Sequence, residues 1–148
     1  MESKSIEKKL KNLKANTPAQ FGIMSPQHMV EHLTITVKIA YNRIKIPEFE
    51  PNEKQKFQKR SLLDSDMDFP RGVVAPGMNA GDLMPLRSVN LDEAKQQLID
   101  SITAYNAFFE SDIKATTVHP RFGMLAYADW ERFHPKHFAH HFKQFGIW

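Results

Sequence analysis

The chain of 148 residues contains no cysteine. This absence excludes a disulfide framework, zinc sites built from thiolates, iron–sulfur clusters and a cysteine nucleophile. At this length about two-thirds of the surface of the unfolded chain can be buried, so a hydrophobic core needs neither a disulfide nor a structural metal. The lack of cysteine also favours a cytoplasmic location.

Long apolar runs are absent as well. No stretch approaches the roughly 20 apolar residues of a membrane span, and the basic N-terminal segment is not followed by the apolar stretch of a secretory signal. With 41% hydrophobic and 25% charged residues, the composition is typical of one globular domain over residues 1–148. We therefore expect a cytoplasmic protein that has no membrane partner.

Positive charge is in small excess, because the chain has 20 Lys and Arg residues and 17 Asp and Glu residues. Residues 1–14 hold five lysines and two glutamates, so this segment accounts for the whole net charge of +3. A lysine-rich, solvated helix face explains the basic pI better than a nucleic-acid partner does. The abundant feature is histidine, since four of the seven histidines lie between positions 134 and 141.

Apolar residues at helical spacing predict four amphipathic helices. They cover residues 6–13, 26–44, 91–110 and 127 almost to 148, and a weaker helix over 52–63 lies in the connection between the second and third of them. Ser25 and Pro26 are suited to begin the second helix, Pro47 ends it, and Asn90 with Glu93 forms a capping box before the third. Residues 64–87 contain few periodic positions and are expected to form an ordered crossover or lid at the mouth of a pocket. The fold prediction is an all-α four-helix bundle with a long crossover.

Two histidines of the last helix, His137 and His141, lie four residues apart, so their side chains stack on successive turns of the face that points into the bundle. Three protein ligands are usual for a catalytic metal, and the third is expected from a facing helix. The second helix supplies His28 and His32; we prefer His32, which lies at the edge of the apolar sector. Three neutral imidazoles suit zinc, nickel or another borderline divalent ion, and the spacing does not choose among them.

The segments FGIMSPQHMVEHL and HPRFGMLAYADWERFHPKHFAHHFKQFG resemble the DinB/YfiT-like superfamily of metalloenzymes, and the resemblance extends over nearly the whole chain. The most similar part of the superfamily is a bacterial branch known as a domain of unknown function. The resemblance implies a four-helix bundle with a crossover and a metal site of three histidines, which correspond to His32, His137 and His141. Two departures from its pattern are Ala126, where a capping Ser or Thr is expected, and Pro135 inside the last helix. The resemblance requires neither His134 nor His140, which we assign to the surroundings of the site or to the surface.

The favoured function is a metal-dependent hydrolase or thiol transferase, in which the ion activates water or a low-molecular-weight thiol that arrives as a cosubstrate. Glu31, Asp129 and Glu131 are candidate carboxylates that orient the imidazoles, although Glu31 projects away from the core. Arg43 is a weaker candidate for binding an anionic substrate.

Two other functions are open. The first alternative is a non-catalytic bundle, with or without a metal, that forms a homodimer through Phe108, Phe109 and Trp148. The second is a nucleic-acid binder that uses Lys54, Lys56, Lys59 and Arg60. Only Phe57 interleaves this basic run, so stacking on several bases is unsupported and we expect no nucleic-acid partner.

Overall fold

Five α-helices and one two-stranded antiparallel sheet make up the computed structural model, which describes every residue from 1 to 148. The helical character agrees with the prediction, whereas the sheet does not. None of the helices combines the length and the apolar character that a membrane span requires. The elements in chain order are α1 (Ser3–Leu10), α2 (Pro26–Ala40), α3 (Glu53–Leu63), α4 (Leu91–Ser111), β1 (Thr116–His119), β2 (Gly123–Ala126) and α5 (Tyr127–Gln144).

Side-chain caps define where three of the helices begin. The Ser25 hydroxyl accepts a hydrogen bond from the backbone N–H of His28, and Pro26 occupies the first turn of α2. Asn90 caps α4 by accepting from the N–H of Glu93, 2.9 Å away. The Glu93 carboxylate, however, accepts from the N–H of Val89 rather than that of Asn90, so the predicted capping box is only half formed.

The predicted end of α2 is wrong by four residues. The helix ends at Ala40 rather than near Ile44 because Asn42 adopts a left-handed conformation, with φ of 61°. Asparagine tolerates this region better than most residues do. The reversal brings the N–H of Ile44 back to the carbonyl of Lys38, 3.1 Å away, so Ile44 packs on the core from a turn.

The connection between α4 and α5 contains a β-hairpin that the sequence analysis did not predict. Thr116 pairs with Ala126 and His119 pairs with Gly123. Gly123 is left-handed, with φ of 70°, and a Cβ there would lie 2.7 Å from Cγ of Pro51. Glycine at this position therefore allows both the tight reversal and the close approach. Because of the hairpin, the fold is mostly helical rather than all-α.

A buried hydrogen-bond relay joins α5, the hairpin and α2. The indole N–H of Trp130 donates to Oγ1 of Thr117, 2.8 Å away, and the Thr117 hydroxyl donates to the carbonyl oxygen of Ala40, 2.9 Å away. Trp130 has no exposed surface. The relay fixes the relative position of the two helices that carry the candidate ligands.

The crossover after α3 is held by side chains of other elements. Lys136 of α5 donates to the carbonyl oxygens of Ser65 and Met67, and Arg121 in the hairpin turn donates to the carbonyl oxygen of Val74, 2.7 Å away. These contacts place the crossover as the outer wall of a cavity beside α2 and α5.

Candidate metal centre

Three histidines from two helices converge at the inner face of α2 and α5. Nε2 of His32 lies 3.0 Å from Nε2 of His137, and the ring centroid of His141 lies 4.7 Å from that of His32 and 4.8 Å from that of His137. One ligand atom from each residue lies within 4.8 Å of the others. This is the set that the sequence predicted.

Pro135 does not disturb this pairing. Residues 127–144 form one continuous helix despite the hydrogen bond that proline removes. Ala126 cannot cap it with a side chain, but its N–H donates to Oδ2 of Asp129, 3.1 Å away. His137 and His141 consequently remain on adjacent turns of a single helix.

Burial keeps the three imidazoles neutral. It lowers the pKa of His32 to about 4 and that of His141 to about 3, and in each case a neighbouring histidine charge lowers it further. The pKa of His137 is also held well below its ordinary value, first by burial and then by the other histidines. Near neutral pH each ring therefore has one nitrogen lone pair available to a cation.

Gln144 determines the tautomer of His141. Its Oε1 lies 3.0 Å from Nδ1 of His141, and its Nε2 donates to the carbonyl oxygen of Phe21, 2.9 Å away. Since the second contact orients the amide, Oε1 must accept and Nδ1 of His141 must carry the hydrogen. Nε2 of His141 is then left with the lone pair. The sequence pattern assigned no role to Gln144; its position three residues after His141, on the same face of the last helix, was the available signal.

The donor set fits a divalent ion of zinc type. Two imidazole nitrogens bound to tetrahedral zinc at 2.0–2.1 Å lie about 3.3 Å apart. The 3.0 Å separation of His32 and His137 is close to this value, and the ligand atoms of all three histidines lie within 4.8 Å of one another. Nδ1 of His137 is buried without a partner, and it would carry the ring hydrogen if Nε2 bound the ion.

The remaining histidines lie outside the cluster. Nδ1 of His28 contacts the Ser25 hydroxyl at 2.6 Å, and His140 is half-buried with its ring 5.3 Å from that of Phe69. His134, which we expected near the site or on the surface, is 1% exposed and stacks on Trp130 at 5.2 Å, because its face of α5 meets α4. Both ring nitrogens of His134 lack a partner.

None of the three candidate carboxylates hydrogen-bonds an imidazole of the cluster. Asp129 binds the N-terminus of α5, and Glu131 accepts from the Tyr105 hydroxyl, 2.7 Å away. Glu31 is buried rather than solvated, because the end of the crossover folds over it and the N–H groups of Arg87 and Ser88 donate to its carboxylate at 2.9 and 3.0 Å. Burial alone raises the pKa of Glu31, but these hydrogen bonds and one from Gln27 outweigh it and hold the pKa below its ordinary value.

A cavity of about 940 Å³ opens onto the histidine cluster. Its lining includes the cluster, residues 67–84 of the crossover apart from Asp68 and Arg71, and the hairpin turn, and nearly half of the lining residues are hydrophobic. Arg43 is not among them; it lines a separate cavity of about 310 Å³ on the other side of α2. The candidate site thus combines a cluster of three histidines that could hold a metal ion with a largely apolar cavity.

Residues 7–146 match the model of a family described as a protein of unknown function (DUF1569). The chain belongs to this family. No curated protein and no solved structure matches it. The family description gives no activity, so any function must be inferred from the cluster and the cavity.

Proposed function

We propose that His32, His137 and His141 hold one divalent metal ion and that the protein is a metal-dependent enzyme. The observation that carries the proposal is the convergence of three neutral imidazoles, from helices a hundred residues apart in sequence, at the inner end of a large cavity. A ligand set with three imidazoles and no further protein donor matches the arrangement of catalytic zinc sites, which leave one position open.

The proposal also covers the arrangement of the helices and the relationship of the chain to the DinB/YfiT-like superfamily. We propose that α1, α2, α4 and α5 correspond to the core of a DinB-like four-helix bundle and that α3 with residues 64–87 is its crossover. Contacts of α2 with both α4 and α5, and of α1 with α4, support this grouping. The relationship to the DinB/YfiT-like superfamily rests on the two sequence segments that contain the proposed ligands.

A bound divalent ion would lower the pKa of water toward 7 or ionise a thiol, which suits hydrolysis or thiol transfer. The chain's own contribution is positional. Gln144 fixes the lone pair of His141 on Nε2, while Phe69 and Phe133 pack against the His137 ring at 5.3 and 5.1 Å. Since the chain has no cysteine, any reacting thiol must arrive with a substrate.

Metal content tests the ligand assignment. We expect about one equivalent of zinc, nickel or a similar ion in untagged protein, measured by elemental analysis, and its loss in a His137→Ala/His141→Ala double variant. His28→Ala and His140→Ala are matched controls, because each removes a histidine one turn or one residue from a proposed ligand and should retain the metal. Protein that binds no divalent ion at micromolar concentration would disprove the proposal.

Access to the ion separates an enzyme from a structural module. We expect the absorption spectrum of cobalt-substituted protein to change when azide, imidazole or a small thiol is added, because the three histidines line the cavity and would leave one coordination position open to a small ligand. A spectrum that does not respond indicates a closed coordination sphere and favours the alternative of a non-catalytic, dimeric module. Of the aromatics proposed for such a dimer, Phe109 is only 1% exposed, whereas Trp148 is 53% exposed.

A further inference from the structure

His119 is a buried histidine outside the metal cluster that lines the same cavity. It is the last residue of β1 and is 7% exposed. The Phe133 ring separates it from the cluster, with its centroid 4.8 Å from that of His119 and 5.1 Å from that of His137. His119 and His137 therefore contact the same Phe133 ring, and both line the cavity.

The hairpin turn fixes the tautomer of His119. Nδ1 accepts hydrogen bonds from the backbone N–H groups of Arg121 and Phe122, at 3.0 and 3.2 Å. Because the lone pair of Nδ1 accepts these two hydrogen bonds, Nδ1 cannot carry the ring hydrogen. The hydrogen must therefore lie on Nε2. The Phe122 ring stacks on the imidazole at 4.6 Å and 15°, which holds the direction of this N–H.

The Nε2–H group of His119 has no acceptor in the protein. It forms no hydrogen bond, but it is not fully enclosed by protein atoms, and His119 lines the cavity. The N–H group is therefore accessible from the cavity. Burial, followed by the charge of Arg121, lowers the pKa of His119 to about 3, so the ring is a neutral donor at physiological pH. A buried donor without an acceptor is costly unless a ligand or water satisfies it.

Positive charge accompanies this donor. Arg121 lines the cavity, and its guanidinium is held in place by the carbonyl oxygen of Val74 at 2.7 Å. Of the two carboxylates on the cavity wall, Glu31 accepts from three N–H donors and Asp82 accepts from the N–H of Asn79 at 3.0 Å, and neither pairs with His119 or Arg121. This end of the cavity therefore offers a fixed N–H and a guanidinium to an anion, and neither group is paired with a carboxylate of the protein.

Much of the cavity wall is apolar. It includes Ile35, Ile39, Phe69, Val73 and Phe133. Burial of apolar surface stabilises a bound ligand by roughly 25 cal/mol per Å², so such a wall favours a hydrocarbon or aromatic body.

We propose that His119 and Arg121 form a carboxylate-binding subsite and that the cavity takes a small, mostly apolar molecule with a carboxylate at this end. The other end of the ligand reaches the three-histidine cluster. The inference rests on the proposed function only in treating the cluster as the reaction centre; the subsite itself is defined by the hairpin turn.

Calorimetric titration with a matched pair of ligands tests the subsite. The probes are 6-phenylhexanoate and 6-phenylhexan-1-ol, which share an apolar body and differ in the carboxylate. Titrations use the full chain, once with zinc and once after treatment with EDTA, so that binding of the carboxylate to a metal is separated from binding to the subsite. We expect the carboxylate to bind at least about tenfold more tightly than the alcohol in both forms, as hydrogen bonds to charged groups lead us to expect.

Two substitutions of His119 separate its donor from its role in the turn. In His119→Asn, Oδ1 takes the place of Nδ1 as acceptor for the turn, but the Nε2–H is lost, so the preference for the carboxylate should fall about tenfold. In His119→Gln the amide can present an N–H near the original position of Nε2, so part of the preference should return. Arg121→Met removes the positive charge without changing the His119 ring, and it should also reduce the preference for the carboxylate. This variant tests the subsite if the His119 variants do not fold.

The outcomes are distinguishable from those of the metal proposal. Equal affinity for the two probes, or a preference that His119→Asn and Arg121→Met leave unchanged, overturns the subsite whatever the metal content. A preference that the two variants abolish in EDTA-treated protein supports it even if the chain holds no metal. Elemental analysis of each variant then reports on the metal proposal alone, because neither substitution touches a proposed ligand.

Discussion

At the scale of single residues, a hydrogen bond to one ring nitrogen of a proposed ligand determines which nitrogen can bind a metal. His141 has its lone pair on Nε2 because Gln144 accepts at Nδ1, and Gln144 is oriented in turn by the carbonyl of Phe21. Gly22 leaves room for this amide, since a Cβ there would lie 2.6 Å from Nε2 of Gln144. Such supporting contacts affect metal affinity as the ligands themselves do.

We expect Gln144→Leu to weaken zinc binding about 10- to 100-fold, because the tautomer and direction of His141 are no longer fixed. Competition with a chromogenic chelator measures the dissociation constant. Gln144→Glu keeps an acceptor for Nδ1 of His141 but loses the donor to the Phe21 carbonyl, so it should bind zinc more tightly than the leucine variant. If the leucine variant binds zinc as tightly as the parent, Gln144 has no positioning role.

At the scale of elements, the hairpin positions two helices and one side of the cavity. Thr117 on β1 connects Trp130 of α5 to the end of α2, and the turn after β1 supplies both His119 and Arg121 to the cavity wall. Loss of the hairpin geometry should consequently affect the stability of the whole fold.

We expect Gly123→Ala to destabilise the protein by more than 1–2 kcal/mol, because a left-handed backbone and a clash with Pro51 act together. Gly77→Ala is the matched control, since Gly77 has φ of 81° but no heavy atom within 4 Å of its Cβ position. The difference between the two urea-unfolding free energies isolates the contact with Pro51. Equal losses would show that this contact contributes nothing.

Thr117→Val should cost about 1–3 kcal/mol, since the substitution keeps the shape of the side chain but leaves the indole N–H of Trp130 and the carbonyl of Ala40 without a partner. Thr117→Ser retains the hydroxyl and should lose clearly less. Urea unfolding followed by Trp130 fluorescence compares the two variants. A valine variant as stable as the parent would rule out a structural role for the relay.

At the scale of the whole molecule, buried histidines link stability to pH. Burial lowers the pKa of His134 to about 3 in the folded chain, against an ordinary value of 6.5. Between these values the unfolded chain binds a proton that the folded chain does not, so stability falls as the pH decreases through this window. His119 adds to the effect with the same sign.

We expect His134→Phe to be more stable than the parent and less sensitive to acid. The substitution keeps a ring against Trp130 and Tyr105 and removes two buried nitrogens that have no partner. Between pH 6.5 and 5 the parent should lose about 2 kcal/mol more than the variant, because one pKa unit corresponds to 1.36 kcal/mol. Urea unfolding at several pH values in EDTA measures the difference; parallel pH profiles would contradict it.

The sequence by itself determined the helices and the histidine set, since both depend on short-range periodicity. Ser25, Pro26 and Asn90 indicate helix starts through local hydrogen bonds, and the spacing of His137 and His141 places them on one face of α5 whatever surrounds it. His32 could be chosen over His28 because burial follows the apolar face of α2. These positions follow from local spacing, whereas the convergence of His32 with His137 and His141 depends on α2 lying beside α5.

Tertiary structure decided what depends on contacts between distant segments. The burial of Glu31 follows from the return of the crossover at Arg87 and Ser88, and the burial of His134 follows from the packing of α5 on α4. The hairpin and the early end of α2 depend on left-handed turns at Gly123 and Asn42, and at Gly123 the requirement comes partly from Pro51, seventy-two positions away. Helical periodicity carries no information about these features, because it describes neither contacts between segments that lie far apart in the chain nor the left-handed turns at which a periodic segment ends.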